Sequence, residues 1–325
     1  MSDGGTESSP SVSVVLPTYN RPARLVEAAE SVASQTYDDV ELLVVDDHSD
    51  RPASDVLPAD SLGGSVTVRH LRHEENRGAN AARNTGIEAA NGEFVAFLDD
   101  DDRWDPEKLE RQVDRFRTAP PDVGLVYTGT RYVGPDGEEL LVEPATEHDD
   151  ATRAILVGKP IGEFSTVLVR RSVVEAAGLP DERFPSWQDR EWYLRVSEHC
   201  SFAAVPDALM YRGMGYDDQI HQNFEAKRDV SYPLFLEKHR PLAAEYGPLV
   251  ERRFVATLSR SLGMSAVSTG NYADARRYLL RAIRYWPGET RAYPYLLASL
   301  GGEYTYRAGK RVAGLARAAR ETLGV

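Results

Sequence analysis

A single cysteine, Cys200, stands in 325 residues. That excludes an internal disulfide and fits a reducing compartment, where a lone thiol serves as a small buried hydrophobe. Lysine is nearly as scarce: five of the 38 basic side chains are Lys and the rest are Arg. Long apolar runs are missing too. The longest, such as Val12–Leu16 and Leu42–Val45, are strand-sized, far short of the ~20 residues a membrane-spanning helix needs. The opening MSDGGTESSP has neither the basic start nor the apolar centre of a signal peptide. These absences predict a cytoplasmic protein with a disordered leader over residues 1–10.

Positive charge is also in deficit. Asp and Glu number 51 against 38 Lys and Arg, a net charge of −13. So acidic a chain repels polyanions, which excludes nucleic acid as a partner. The acidic, Lys-poor composition resembles that of proteins from salt-loving microbes and implies a halophilic archaeal source. The charge is uneven. Residues 251–325 hold 13 Arg or Lys and 5 Asp or Glu, so the acidic excess lies in the first 250. Two surfaces of opposite sign suggest different partners. The basic tail fits peripheral contact with the inner face of a membrane, or packing on the acidic domain.

What is present is an apolar share of 42%, enough for a core. SVSVVLP (Ser11–Pro17), VELLVVDD (Val40–Asp47), VTVRHLR (Val66–Arg72) and GEFVAFL (Gly92–Leu98) read as strands. Helical spacing separates them: one helix after Asn20, which can cap it with Pro22 in the first turn, and another over Asn84–Gly92. Val123–Val133, a turn at Gly134–Gly137 and Glu138–Glu143 read as a hairpin. Phe164–Gly178 gives a strand and a helix, and Trp187–Val196 another helix. This alternation predicts an α/β fold with a mainly parallel sheet flanked by helices. Residues 11–240 form that domain, and 241–325 a helical C-terminal region. Gly270, Ala275, Ala282 and Pro287 there resemble one tetratricopeptide unit, followed by the basic tail Tyr306–Val325.

Ligands of such sheets bind beyond the carboxyl ends of the strands. Polar clusters fall at those ends: Pro17-Thr18-Tyr19, Asp46-Asp47 and Asp99–Asp102. On an extended backbone, residues two apart share a side, so Asp99 and Asp101 would face one site. Converging carboxylates share a proton or bind a cation, and Mg²⁺ or Mn²⁺ suits oxygen ligands. Asp46 and Asp47 either accept bonds from a base or ribose, or cap the following turn.

Four segments match a family in order and spacing: VVLPTYNR (Val14–Arg21), LLVVDDHSD (Leu42–Asp50), Asn76–Trp104 and WQDREWYLRV (Trp187–Val196). They resemble the family 2 glycosyltransferases, over about residues 11–220. The resemblance implies the A-type nucleotide-sugar fold and an inverting, metal-dependent transfer from a nucleotide-diphosphate sugar. Pro17, Thr18, Tyr19, Asp46, Asp47, Arg83, Asp99 and Asp100 would bind the donor. Asp99 and Asp101 would hold Mn²⁺ or Mg²⁺, with His221 as a further ligand or a merely exposed loop residue. Asp189 would be the catalytic base, with Gln188 where the family more often has Glu. Trp187 and Trp192 beside it would stack on a sugar or belong to the core. The implied partners are a UDP, GDP or dTDP sugar and a glycan or lipid-linked acceptor, in polysaccharide or glycoprotein glycan synthesis. Two alternatives remain at this point: a sugar nucleotidyltransferase, although Leu16–Tyr19 lacks a glycine-rich phosphate loop, and a non-catalytic nucleotide-sugar or partner-binding protein.

Overall fold

The computed structural model describes residues 11–63, 66–214 and 223–304. The chain packs as two compact units. Among the described residues, the first holds 11–63, 66–155, 160–182 and 187–214, and the second holds 156–159, 183–186 and 223–304. Packing therefore divides the chain ahead of residue 240, because the helix Tyr232–Glu245 packs with the helices that follow it.

The first unit runs β1 (Val12–Thr18), α1 (Pro22–Ala33), β2 (Val40–Asp46), α2 (Ala53–Val56), β3 (Thr67–Arg72), α3 (Ala79–Ala89), β4 (Phe94–Phe97), β5 (Asp102–Trp104), α4 (Lys108–Thr118), β6 (Val123–Val133) and β7 (Glu139–Glu143). It continues with α5 (Ala151–Leu156), β8 (Val167–Arg170), α6 (Arg171–Ala177), α7 (Gln188–Ser197) and β9 (Ser201–Gly213). The strands form one sheet in the order β3-β2-β1-β4-β8-β6-β9-β5, with β7 paired on β6.

The expected mainly parallel sheet is parallel in one half only. β1 pairs parallel with β2 and β4, and β2 with β3. Helices link these strands, as parallel pairing requires. Beyond β4 the sheet is mixed: β8 runs antiparallel to β4 and β6, and β5 antiparallel to β9, while β6 and β9 are parallel. β1 is buried along its whole length, as a strand covered on both faces must be. Val14, Leu16, Leu42, Val44, Ala96 and Leu98 form the middle of the core.

The sheet is forced to curl. β4 and β5 are joined by residues 98–101 alone, yet β8, β6 and β9 lie between them in the sheet. At ~4.8 Å per strand, a flat sheet would hold them roughly 19 Å apart. A fully extended link of this length reaches only about 18 Å, and this link is a turn.

Two local expectations are corrected. Asn20 does not cap α1; its φ is 54°, and its Oδ1 instead accepts the Asp50 N–H at 2.8 Å. The helix expected from Asn84 begins at Ala79, because Gly78, at φ 92°, turns the chain into it. α3 lies so close on β1 that a Cβ at Gly86 would stand 2.3 Å from Val15 Cγ1.

The second unit is helical: α8 (Phe224–Ala226), a π-helical segment Lys227–Ser231, α9 (Tyr232–Glu245), α10 (Pro248–Ser268), α11 (Tyr272–Tyr285) and α12 (Ala292–Leu300). Phe235, Phe254, Leu258 and Leu279 are buried in it. Ala275 and Ala282 are fully buried, and Gly263 lets α10 approach Leu279. No helix among the described residues is long and apolar enough to cross a membrane. The leader 1–10 and the tail Tyr306–Val325 lie outside the described residues.

Candidate active site

β1, β2 and β4 end at one edge. Thr18 lies opposite Asp46, and Val15 opposite Phe97. Backbone bonds continue the alignment past the strands: Asp47 N–H donates to Thr18 O at 2.9 Å, and Leu98 N–H to Val15 O at 3.0 Å. The three polar clusters of the sequence therefore meet at the carboxyl edge, where parallel sheets bind ligands.

Asp99 and Asp101 converge, though not by strand alternation. β4 stops at Phe97, and Asp102 N–H donates to Asp99 O at 3.0 Å, which closes a turn. The turn brings in Asp102 as well: one carboxylate oxygen from each of Asp99, Asp101 and Asp102 lies within 4.8 Å of the others. Asp100 points elsewhere. It accepts from Thr18 Oγ1 at 2.8 Å and from Arg21 at 2.9 Å. Burial pushes its carboxyl up to about 6 despite Arg21. Burial and then repulsion from Asp99 raise Asp101, and burial and then Asp101 raise Asp102. Three crowded oxygen donors whose ionised forms repel one another fit a hard divalent cation. The residues present suit such an ion.

Arg83 ties this turn to α7. It is buried on α3; its guanidinium donates to Asp99 at 2.5 Å and to Gln188 Oε1 at 3.0 Å, and stacks over Phe164 at 4.3 Å. Gln188 opens α7, and Asp189 follows. Trp187 enters that helix in the left-handed region at φ 61°, a conformation costing about 1–2 kcal/mol for a non-glycine residue. Asn20, His48 and Trp187 are the non-glycine residues of positive φ among those described. Each lies beside a site segment, where backbone strain tends to collect. Burial raises the Asp189 carboxyl, and the Arg190 N–H, Arg83 and Arg212 only partly offset that.

Four further groups complete the cluster without having been singled out in sequence. Arg212 on β9 pairs with Glu163, and β9 sets it opposite Asp102. Burial, then Asp189 and Asp99, push Glu163 up to about 7 against the pull of Arg212. The Tyr193 hydroxyl, one turn after Asp189, is buried with no hydrogen-bond partner among the described residues. Asp102 was visible only as part of an acidic run. Arg212 and Glu163 carry no local signal, since β9 and a loop before β8 bring them in.

Asp46 and Asp47 hold loops. Asp46 accepts the Ser49 N–H at 2.7 Å, the Ala53 N–H at 3.0 Å and Arg72. Asp47 accepts His73 Nδ1 at 2.7 Å and the Arg77 and Gly78 N–H groups at 2.8 Å. Thr18 is buried and Tyr19 is 45% exposed. Trp192 belongs to the core: it is fully buried against Phe97 and Phe164, with its indole N–H on Gly178 O. His221 lies outside the described residues.

This architecture is shared with solved glycosyltransferases. S. aureus TarS in complex with UDP superposes at TM-score 0.54 with 18% identity, over 92% of each chain. Mannosyltransferase PcManGT from Pyrobaculum calidifontis, in complex with GDP-Man and Mn²⁺, superposes at 0.55 with 20% identity, over 90% of this chain and 86% of that one. Such likeness defines the class, a GT-A fold. Residues 13–178 match the model of glycosyl transferase family 2, and the chain belongs to that family. A glycosyltransferase of Haemophilus influenzae is 28% identical over 192 residues, covering 59% of this chain and 63% of that protein.

Proposed function

We propose that this protein transfers a sugar, with inversion, from a nucleotide-diphosphate sugar to a glycan or lipid-linked acceptor. The observation that carries the reading is Arg83, whose one guanidinium bonds both the acidic turn at Asp99 and the start of α7 at Gln188, beside Asp189. Family membership and solved GT-A neighbours holding UDP or GDP-Man support it.

Asp99, Asp101 and Asp102 would hold Mn²⁺ or Mg²⁺, which would stabilise the negative charge that the leaving diphosphate gains. Pro17, Thr18 and Tyr19 line the base and ribose side of the donor pocket, and Asp100 fixes Thr18 and Arg21 there. Asp46 braces the loop that frames the base. A carboxylate has about four acceptor sites, so Asp47, with its three partners, keeps one for a base N–H. Arg83 orients Asp99 toward the donor. Asp189 takes the proton of the attacking acceptor hydroxyl. A raised carboxyl pKa suits a general base. Gln188 puts no carboxylate directly before Asp189 in the chain, so its ionisation is opposed by one charge fewer than a Glu there would add. Direct displacement inverts the anomeric centre and needs no carboxylate nucleophile.

Calorimetric titration with UDP, GDP and dTDP, with and without Mn²⁺ or Mg²⁺, tests the reading. One nucleotide should bind in a metal-dependent way, and Asp101→Asn should weaken it. Folded protein that binds none of the three would overturn the proposal.

A further inference from the structure

The second unit carries an apolar face that sugar transfer does not use. α12 reads AYPYLLASL and has no charged side chain. Its inner side is fixed: Ala292 and Ser299 are buried, and Ser299 O accepts from Arg276 of α11 at 2.8 Å. Tyr293, Leu297 and Leu300 recur at helical spacing and share the other side. That side is bare, with Leu297 64% and Leu300 62% exposed. Tyr304, just beyond, is 90% exposed. On α11 the exposed positions Arg277, Leu280 and Arg284 also fall on one face, a leucine between two guanidiniums. Arg291 leads into α12 and is exposed.

We infer that this face of the second unit docks on a bilayer containing anionic phospholipid. Leucines would enter the acyl boundary, tyrosines would sit at headgroup level, and the guanidiniums would meet the lipid phosphates. Charge decides the orientation and the occupant. The first 250 residues are strongly acidic and are repelled by an anionic surface, whereas residues 251–325 carry the basic excess. The sequence continues that excess beyond α12 with Arg307, Lys310, Arg311, Arg317 and Arg320 against Glu303 and Glu321. The acidic surface of a second copy would satisfy the arginines but leave the leucines against charge. A bilayer satisfies both. The inference does not depend on the sugar-transfer reading.

The test is flotation of the full chain with phosphatidylcholine vesicles, with and without phosphatidylglycerol. Wild type should float with the anionic vesicles, less so as salt rises, and hardly with phosphatidylcholine alone. Leu297→Glu/Leu300→Glu should weaken partitioning about tenfold or more. Arg277→Glu/Arg284→Glu should weaken it and lessen its salt dependence. These side chains are exposed, so melting and nucleotide binding should stay at the wild-type level, which separates this outcome from failure of the donor site. Wild type that ignores anionic vesicles overturns the inference, as do variants that float unchanged. Light scattering that shows a dimer broken by the leucine substitutions would assign the face to a second copy instead.

Discussion

In the proposed reading, transfer chemistry rests on Asp189 as the acceptor of the hydroxyl proton. Replacing it with Asn keeps size and shape but removes the proton acceptor. The expected loss in kcat is roughly 10²- to 10⁴-fold, with metal-dependent nucleotide affinity held near wild type. Steady-state kinetics beside calorimetry would show the split, and normal turnover would refute the assignment. Asp46 makes a separate prediction about pH. Burial opposes its ionisation, but the Ser49 and Ala53 N–H groups, the Ser49 hydroxyl and Arg72 outweigh that and hold its carboxyl below the ordinary value of 3.8. A folded-state pKa below the unfolded one gives stability that is full above the unfolded value and lost as pH falls through the folded one. Asp46→Asn should therefore cost stability at neutral pH, by about 1–3 kcal/mol. The gap to wild type should narrow below about pH 4, as read from denaturant midpoints across a pH series. At this scale the sequence was legible where chemistry is contiguous: Asp99, Asp101 and Arg83 stand in one recognisable stretch. It was silent on Arg212, which reaches the site through strand pairing, and on Glu163, which a loop ahead of β8 brings in.

Elements were legible through their periodicity and less so at their edges. The strands β1, β2 and β4 could be read directly, because burial on both faces leaves continuous apolar runs. The start of α3 could not, since NRGANAARN looks like loop until Gly78 supplies the turn into the helix. α3 also shows how tightly an element is held to place its side chains. Gly86 rests on Val15, and Arg83 projects from the helix one turn earlier. Gly86→Ala should push α3 off β1 and cost about 1–3 kcal/mol by overpacking, a loss that chemical denaturation would measure. The same shift moves Arg83, so metal-dependent nucleotide binding should weaken alongside stability. A variant as stable as wild type would mean that the helix has slack the packing does not suggest. The acidic turn gives a different lesson. The convergence of Asp99 and Asp101 was expected from a strand, whereas a turn produces it, and only the turn brings Asp102 within reach.

On the scale of the whole chain, composition and strand–helix alternation carried the α/β class and the helical C-terminal region. They did not carry the mixed half of the sheet beyond the hairpin of β6 and β7, because returns that pair strands distant in sequence leave no periodic trace. The curl of the sheet has a consequence in time. β5 has β9 as its sheet neighbour. Asp99–Asp102 thus leave the ribosome long before the strand that anchors their turn. Contacts that close long loops form late, since chain entropy opposes them until other structure is in place. The parallel half can assemble early from local crossovers, with the acidic turn still unanchored. In refolding, far-UV dichroism should accordingly recover first, and metal-dependent nucleotide binding should lag behind it. Simultaneous recovery would mean that the two ends of the sheet meet in the same step that builds its middle.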